Sequence, residues 1–233
     1  MTQQKGTVIV ERSSHSGHIA ELYGRLAWMY DFFTDHEPSH HKAAVQIARI
    51  EPTHSVLEVA CGTGRATLEI ARQLREGQVF RAIDLTEGMI SRAKQRLGNH
   101  GLSDRVDFRI ADARRLPFPD SSFNLVYNAY MFDLNNSSEF SVILSEFKRV
   151  LKPGGKLVLV NMSKNRNTKT LYEWLYEKSL LNFASGSCRP VLLQSFIEEA
   201  GFQAVTRTYR KNYSWFFLNW LTGTEIVIGR KAV

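Results

Sequence analysis

Beyond residue 50, short β-branched runs alternate with segments of helical periodicity, and this alternation confines the chain to a parallel sheet covered by helices. Residues 55–59 (SVLEV) predict a first strand, and 64–75 a helix with Leu68, Ala71 and Leu74 on one face. Further strands are predicted at 78–83, 105–110 and 123–128, with a helix at 88–97 and the turn-rich stretch LPFPDSS before the last of them. Ile143, Phe147, Val150 and Leu151 mark a helix over 140–151, which KPGGK turns into a strand at 156–160. A helical region at 168–183, a helix at 192–200 and strands at 203–209 and 224–229 bring the expected count to seven strands.

The 233 residues suit one large domain, and 43% hydrophobic with 23% charged residues is a soluble, globular balance. No apolar run approaches the ~20 residues that span a bilayer, and the first residues lack the layout of a signal peptide, so the expected location is the cytoplasm. Cys61 and Cys188 are expected to be reduced thiols. The net charge of +7 favours anionic partners in general. Residues 1–50 stand outside the alternation and carry Tyr23, Trp28, Tyr30, Phe32 and Phe33 with His15, His18, His40 and His41; they are expected to form a helical lid over a core at 51–233.

The strongest local signal is Glu58-Val-Ala-Cys-Gly62-Thr-Gly64, between a strand and a helix. Glycines there let backbone approach a ligand, and the helix start offers unpaired N–H groups. The spacing G-x-G-x-x-G of a dinucleotide site fails, because counting from Gly62 the third position is Thr67. Asp84 closes the second strand, where a carboxylate can accept both hydroxyls of a ribose, so a nucleoside is the expected ligand. Asp112 and Ala113 follow the third strand and Asn128 ends the fourth. Gly62, Asp84, Asp112 and Asn128 are therefore expected to converge on one crevice at the carboxyl ends of the strands.

The runs VLEVACGTGRATLEIARQL, AIDLTEGMISRAK, ADARRLPFPDSSFNLV and EFKRVLKPGGKLVLV resemble, in order over 55–160, the successive motifs of class I S-adenosylmethionine-dependent methyltransferases. The chain is most similar to the branch of the ubiquinone/menaquinone C-methyltransferases and bacterial phospholipid N-methyltransferases. Its segment YGRLAWMYDFF resembles that branch's tyrosine-aspartate pair after an amphipathic helix. The resemblance implies an α/β fold: a Rossmann-like seven-stranded, mostly parallel sheet with helices on both faces and an antiparallel last strand. It implies S-adenosylmethionine as cofactor and S-adenosylhomocysteine as product. Glu58 and the backbone of Ala60, Cys61, Gly62 and Gly64 would hold the methionine end, and Asp84 the ribose. Leu85 and Met89 would lie against the adenine, with Asp112 accepting from its amino group and Ala113 giving a backbone contact. Asn128 and Tyr30 would lie near the methionyl group. Two departures stand out: Ala60 fills the place of the loop's first glycine, and strand five ends in Asn161-Met162-Ser163, where the quinone enzymes tend to carry an acidic residue followed by a hydroxyl residue.

A sulfonium methyl donor is already activated, so the protein must mainly align the nucleophile and exclude water; a base matters only for an acceptor that arrives protonated. His18, His40, Tyr130 and Asp133 are the candidates for that base, although each histidine also reads as a surface or packing residue and Asp133 as a helix cap. His15/His18 and His36/His40 have metal-like spacing, but no cysteine or acidic set completes a site and Pro38 interrupts the second pair, so no metal is expected. Cys61 reads as a small filler of the loop.

Substrate choice is expected from the lid, from 130–137, and from insertions at 161–190 and 212–221. The last contains Trp215, Phe216, Phe217, Trp220 and Leu221 just after Arg207, Arg210 and Lys211, a grouping suited to a bilayer's headgroup boundary or to internal packing. The acceptor expected is small and lipophilic, quinol or phospholipid-like, with peripheral membrane contact through 212–221. A water-soluble phenol or amine is the alternative, and a non-catalytic cofactor-binding regulator is the alternative from another class. Nucleic acid ranks low, since no basic domain, zinc module or base-flipping motif accompanies the core.

Overall fold

The structure, a computed structural model, describes residues 38–78, 80–163, 190–211 and 223–233. Of the lid expected over 1–50, residues 1–37, with His18 and Tyr30, lie outside the described residues, as do Cys188, 212–221 and most of 161–190, whereas Ala44, Val45, Ala48 and Ile50 pack in the core. The elements are α1 (Pro38–Ala48), β1 (Val56–Val59), α2 (Arg65–Ala71), β2 (Phe80–Asp84), α3 (Glu87–Gly98), β3 (Val106–Ile110), β4 (Phe123–Ala129), α4 (Ser137–Val150), β5 (Leu151–Ser163), α5 (Gln194–Glu199), β6 (Gln203–Lys211) and β7 (Gly223–Arg230). The seven strands form one sheet in the order β3-β2-β1-β4-β5-β7-β6. All described pairings are parallel except those of β7, which runs against both β5 and β6. The fold is the expected Rossmann-like α/β sheet.

Strand residues alternate between two apolar layers, as a period of two requires. Val56, Ala82, Leu125, Tyr127, Val158 and Val160 face the layer that includes α1, α2 and α3 through Val45, Ile70 and Ala93. Leu57, Val59, Ile83, Val126, Leu157 and Leu159 face the layer of α4 and α5, through Phe140, Phe147 and Ile197. There Phe132 packs edge-on against both Phe140 and Phe147. Both faces are covered, which is why these strands read as continuous apolar runs.

Two element bounds differ from expectation for physical reasons. Helix α4 starts at Ser137, where the Asn136 N–H donates to Glu139 Oε2 at 3.3 Å, half of a capping box. Strand β5 starts at Leu151 rather than 156, because the KPGG stretch, read as a pure turn, is laced to the chain's end. Gly154 N–H donates to Lys231 O at 3.0 Å and Lys231 N–H to Gly155 O at 2.9 Å.

The register sets the site. Val59 lies opposite both Ile83 and Asn128, so β1, β2 and β4 end level with one another. β1 is flanked by β2 and β4, the point where strand order reverses and where open α/β sheets form a crevice.

Candidate functional site

The residues leaving β1 make a tight left-handed turn. Ala60 (φ 56°), Gly62 (φ 54°) and Gly64 (φ 82°) all have positive φ. At Gly64 a side chain is excluded twice, by its φ and by α3, since a Cβ would lie 2.8 Å from the Ala93 Cα. Gly62 faces open space, and its N–H donates to Asp84 Oδ2 at 2.9 Å. The other oxygen, Asp84 Oδ1, accepts from the Thr86 N–H at 3.1 Å and the Thr86 hydroxyl at 3.2 Å. The acid at the end of β2 thus holds the loop after β1, and Oδ2 keeps a second lone pair for a ligand.

A cavity opens over this loop. Its floor is Glu58, Ala60, Cys61, Gly62 and Thr63; Asp84, Leu85, Thr86 and Met89 line one side. Ala129, Tyr130, Met131, Leu134, Asn135 and His41 line the other. Glu58 is 2% exposed, and its Oε2 has no hydrogen-bond partner among the described residues. Burial, with the charge of Asp84 adding, pushes its carboxyl up to about 8. Burial likewise raises Asp84, against the opposing hydrogen bonds from Gly62 and Thr86, and pushes the Cys61 thiol well up. Cys61 is therefore no thiolate nucleophile, in keeping with its reading as a filler.

Of the residues singled out in the sequence, Glu58, Ala60, Cys61, Gly62, Asp84, Leu85, Met89 and Tyr130 line this cavity. Gly64 lies beneath it, at the contact with Ala93. Three further expected participants are not among the residues that line the cavity. Asp112 is clasped by Arg114, whose Nε and Nη2 donate to it at distances of 2.7 to 3.1 Å, and this pairing holds its carboxyl below the usual range. Ala113 packs against the layer of α4. Asn128 is fully buried and donates to Val59 O at 2.8 Å, tying β4 to β1.

Asp133 neither caps α4 nor lines the cavity: it is fully buried, and its Oδ2 accepts the Met162 N–H at 3.1 Å. His40 lies in α1, but its side chain is outside the described residues. Arg207, read as a cation beside a membrane-facing run, instead turns inward and pairs with Glu225, a glutamate that sequence reasoning passed over. Glu225 is fully buried and also accepts from Ser163 Oγ at 2.7 Å and Leu193 N–H at 2.9 Å. His41, Met131, Leu134 and Asn135 are wall residues that sequence reasoning did not single out. The signal was there, in the histidine cluster and in the stretch 130–137.

The match of a family model described as a methyltransferase domain covers residues 56–155, which hold the loop, Asp84 and β4. The chain is 32% identical to the ubiquinone/menaquinone biosynthesis C-methyltransferase UbiE of Teredinibacter turnerae, over 72% of this chain and 68% of that one. It is 30% identical to the demethylmenaquinone methyltransferase of Symbiobacterium thermophilum, over 82% of this chain and 74% of that one. Among solved structures, the [4+2]-cyclase SpnF superposes with a TM-score of 0.75 at 18% identity, covering 97% of this chain and 99% of the other, a likeness of fold alone.

Proposed function

The chain belongs to the class I S-adenosylmethionine-dependent methyltransferases, with the ubiquinone/menaquinone biosynthesis C-methyltransferases among its relatives, and on that premise we propose that it methylates a ring carbon of a lipophilic hydroquinone. The observation that carries this reading is one cavity lined by two unlike sets of residues. Buried Glu58, the glycine turn and Asp84 form the polar set, and Tyr130, Met131, Leu134 and Ala129, on the β4 side of β1, the aromatic and apolar set.

The residues fit the cofactor. The unpartnered Oε2 of buried Glu58 suits a cationic amino group, and the open space over Gly62 admits a chain lying against backbone. Asp84 Oδ2 suits ribose hydroxyls, and Leu85 and Met89 a flat base. When bound, S-adenosylmethionine supplies a methyl group on a sulfonium that departs as a neutral thioether. The chain's own part is to orient that methyl group toward the acceptor and keep water out. The apolar wall 129–134 would hold the hydroquinone ring. Among the described residues no helix is long and apolar enough to cross a membrane. A cytoplasmic enzyme that reaches a membrane-borne acceptor through 212–221 agrees with the aromatic content of that run.

Calorimetric titration with S-adenosylmethionine and S-adenosylhomocysteine, with Asp84→Ala as control, tests the cofactor site. Transfer of labelled methyl to demethylated quinols, beside soluble phenols and amines, tests the acceptor. Absent binding by folded protein removes the site assignment, and labelling confined to soluble amines removes the quinol.

A further inference from the structure

We propose that His41 is the base that takes the acceptor's proton during methyl transfer, held in place by Tyr130. The proposal rests on the acceptor reading above for the identity of the proton, a hydroquinone O–H.

The cavity wall decides between the groups available. Asp84 is held by Gly62 and Thr86, and its remaining acceptor capacity is the one proposed for the ribose. Glu58 is 2% exposed beneath the glycine turn and is the group proposed for the cofactor's amino group, not for the acceptor. Cys61 holds its proton more tightly than an ordinary thiol, and Arg65 is a permanent cation. An imidazole ordinarily titrates near neutrality, and His41 carries the cavity's one imidazole among the described residues.

Its position is built. The His41 ring meets Tyr130 edge to face, with centroids 5.7 Å apart and an interplanar angle of 78°. Tyr130 is fixed at both ends: its N–H donates to Val160 O at 2.7 Å, and its hydroxyl shares a hydrogen bond of 3.1 Å with Thr224. It does so at φ 54°, a backbone state that costs a tyrosine free energy and persists only where its surroundings hold it. The ring contact with Tyr130 puts the imidazole among the residues, Tyr130, Met131 and Leu134, proposed to hold the acceptor.

The step balances. The hydroquinone O–H proton passes to a neutral imidazole nitrogen as the oxygen's electron density moves into the ring. A ring carbon forms the new C–C bond to the methyl group while the S–CH₃ bond breaks, its electron pair staying on sulfur. Loss of the ring C–H proton to water then restores aromaticity, with the imidazolium returning its proton to oxygen; the net products are methylated hydroquinone, thioether and one proton.

The test compares wild type with His41→Gln across pH. The charged and titratable groups facing the same cavity are Glu58, Cys61, Arg65, Asp84 and Tyr130, and Lys42 follows His41 on α1. Wild-type kcat/KM should fall on the acid side as the imidazole becomes protonated. The variant should lose that limb along with ~100-fold or more in kcat. Its S-adenosylhomocysteine affinity by calorimetry should stay within about twofold, because the proposal gives His41 no cofactor contact. In the S-adenosylhomocysteine complex of ¹⁵N-labelled wild type, adding a hydroquinone should shift the His41 ring signals. An acid limb that survives in the variant, or cofactor affinity lost in step with turnover, overturns the proposal. A wild type inert on hydroquinones but active on an amine overturns the acceptor reading alone, and the same comparison on that amine still decides whether His41 is the base.

Discussion

The amide of Gly62 donates to Asp84 Oδ2 at 2.9 Å, so the glycine turn after β1 and the acid that ends β2 form one unit. Replacing Asp84 by Ala removes the proposed ribose acceptor and also leaves the Gly62 and Thr86 amides without their partner. The expected loss is about 1–3 kcal/mol of stability together with ~100-fold or more in S-adenosylhomocysteine affinity. Urea unfolding and calorimetry on the same samples separate the two; unchanged affinity would remove Asp84 from the site.

Glu58 gives the free protein a pH dependence of definite sign. Its folded-state carboxyl is raised to about 8, so the folded protein binds more protons than the unfolded chain between the ordinary carboxylate range and that value. Stability from this group is full at low pH and declines as pH rises through that window. Glu58→Gln should flatten the decline and raise stability at pH 8 by an amount on the order of 1–3 kcal/mol. Denaturant midpoints across that range check it, and an unchanged slope would show that Glu58 does not carry the effect.

Ala60 and Gly64 both adopt positive φ but respond to substitution in opposite ways. Ala60→Gly relieves about 1 kcal/mol of left-handed strain while loosening the unfolded chain by a smaller amount, so it should be neutral or slightly stabilising. Gly64→Ala meets both the φ penalty and Ala93, and should cost about 2–4 kcal/mol. Thermal unfolding of the pair measures the contrast.

Glu225 pairs with Arg207 in the interior of the β5-β7-β6 half of the sheet. Glu225→Ala leaves a nearly buried guanidinium uncompensated and should destabilise by about 3–5 kcal/mol. Co-substituting Arg207→Met should recover part of that loss, and a double-mutant cycle in urea reads the coupling.

The α/β layering was legible along the chain beyond residue 50 because side-chain period is a local property: two for a strand, near four for a helix. The loop at 60–64 was legible too, since glycine is the residue type that positive φ and the approach of Ala93 demand. Asp112 and Asn128 show where that reading stops. Both stand at strand ends as expected, yet Arg114 clasps the one and Val59 O accepts from the other. Glu225 carries no local pattern and His41 only its place in the histidine cluster; the histidine meets Tyr130 on the cavity wall, and the glutamate meets Arg207 on the neighbouring strand.

The sequence by itself determined the element types, the turn that needs glycine and the acid that follows the second strand, because these depend on neighbours within a few residues. Only the tertiary structure decided the strand order, the polar partners of each acid and which histidine reaches the cavity. Those depend on groups tens of residues apart, whose distances are set by register and by the packing of helices on the sheet.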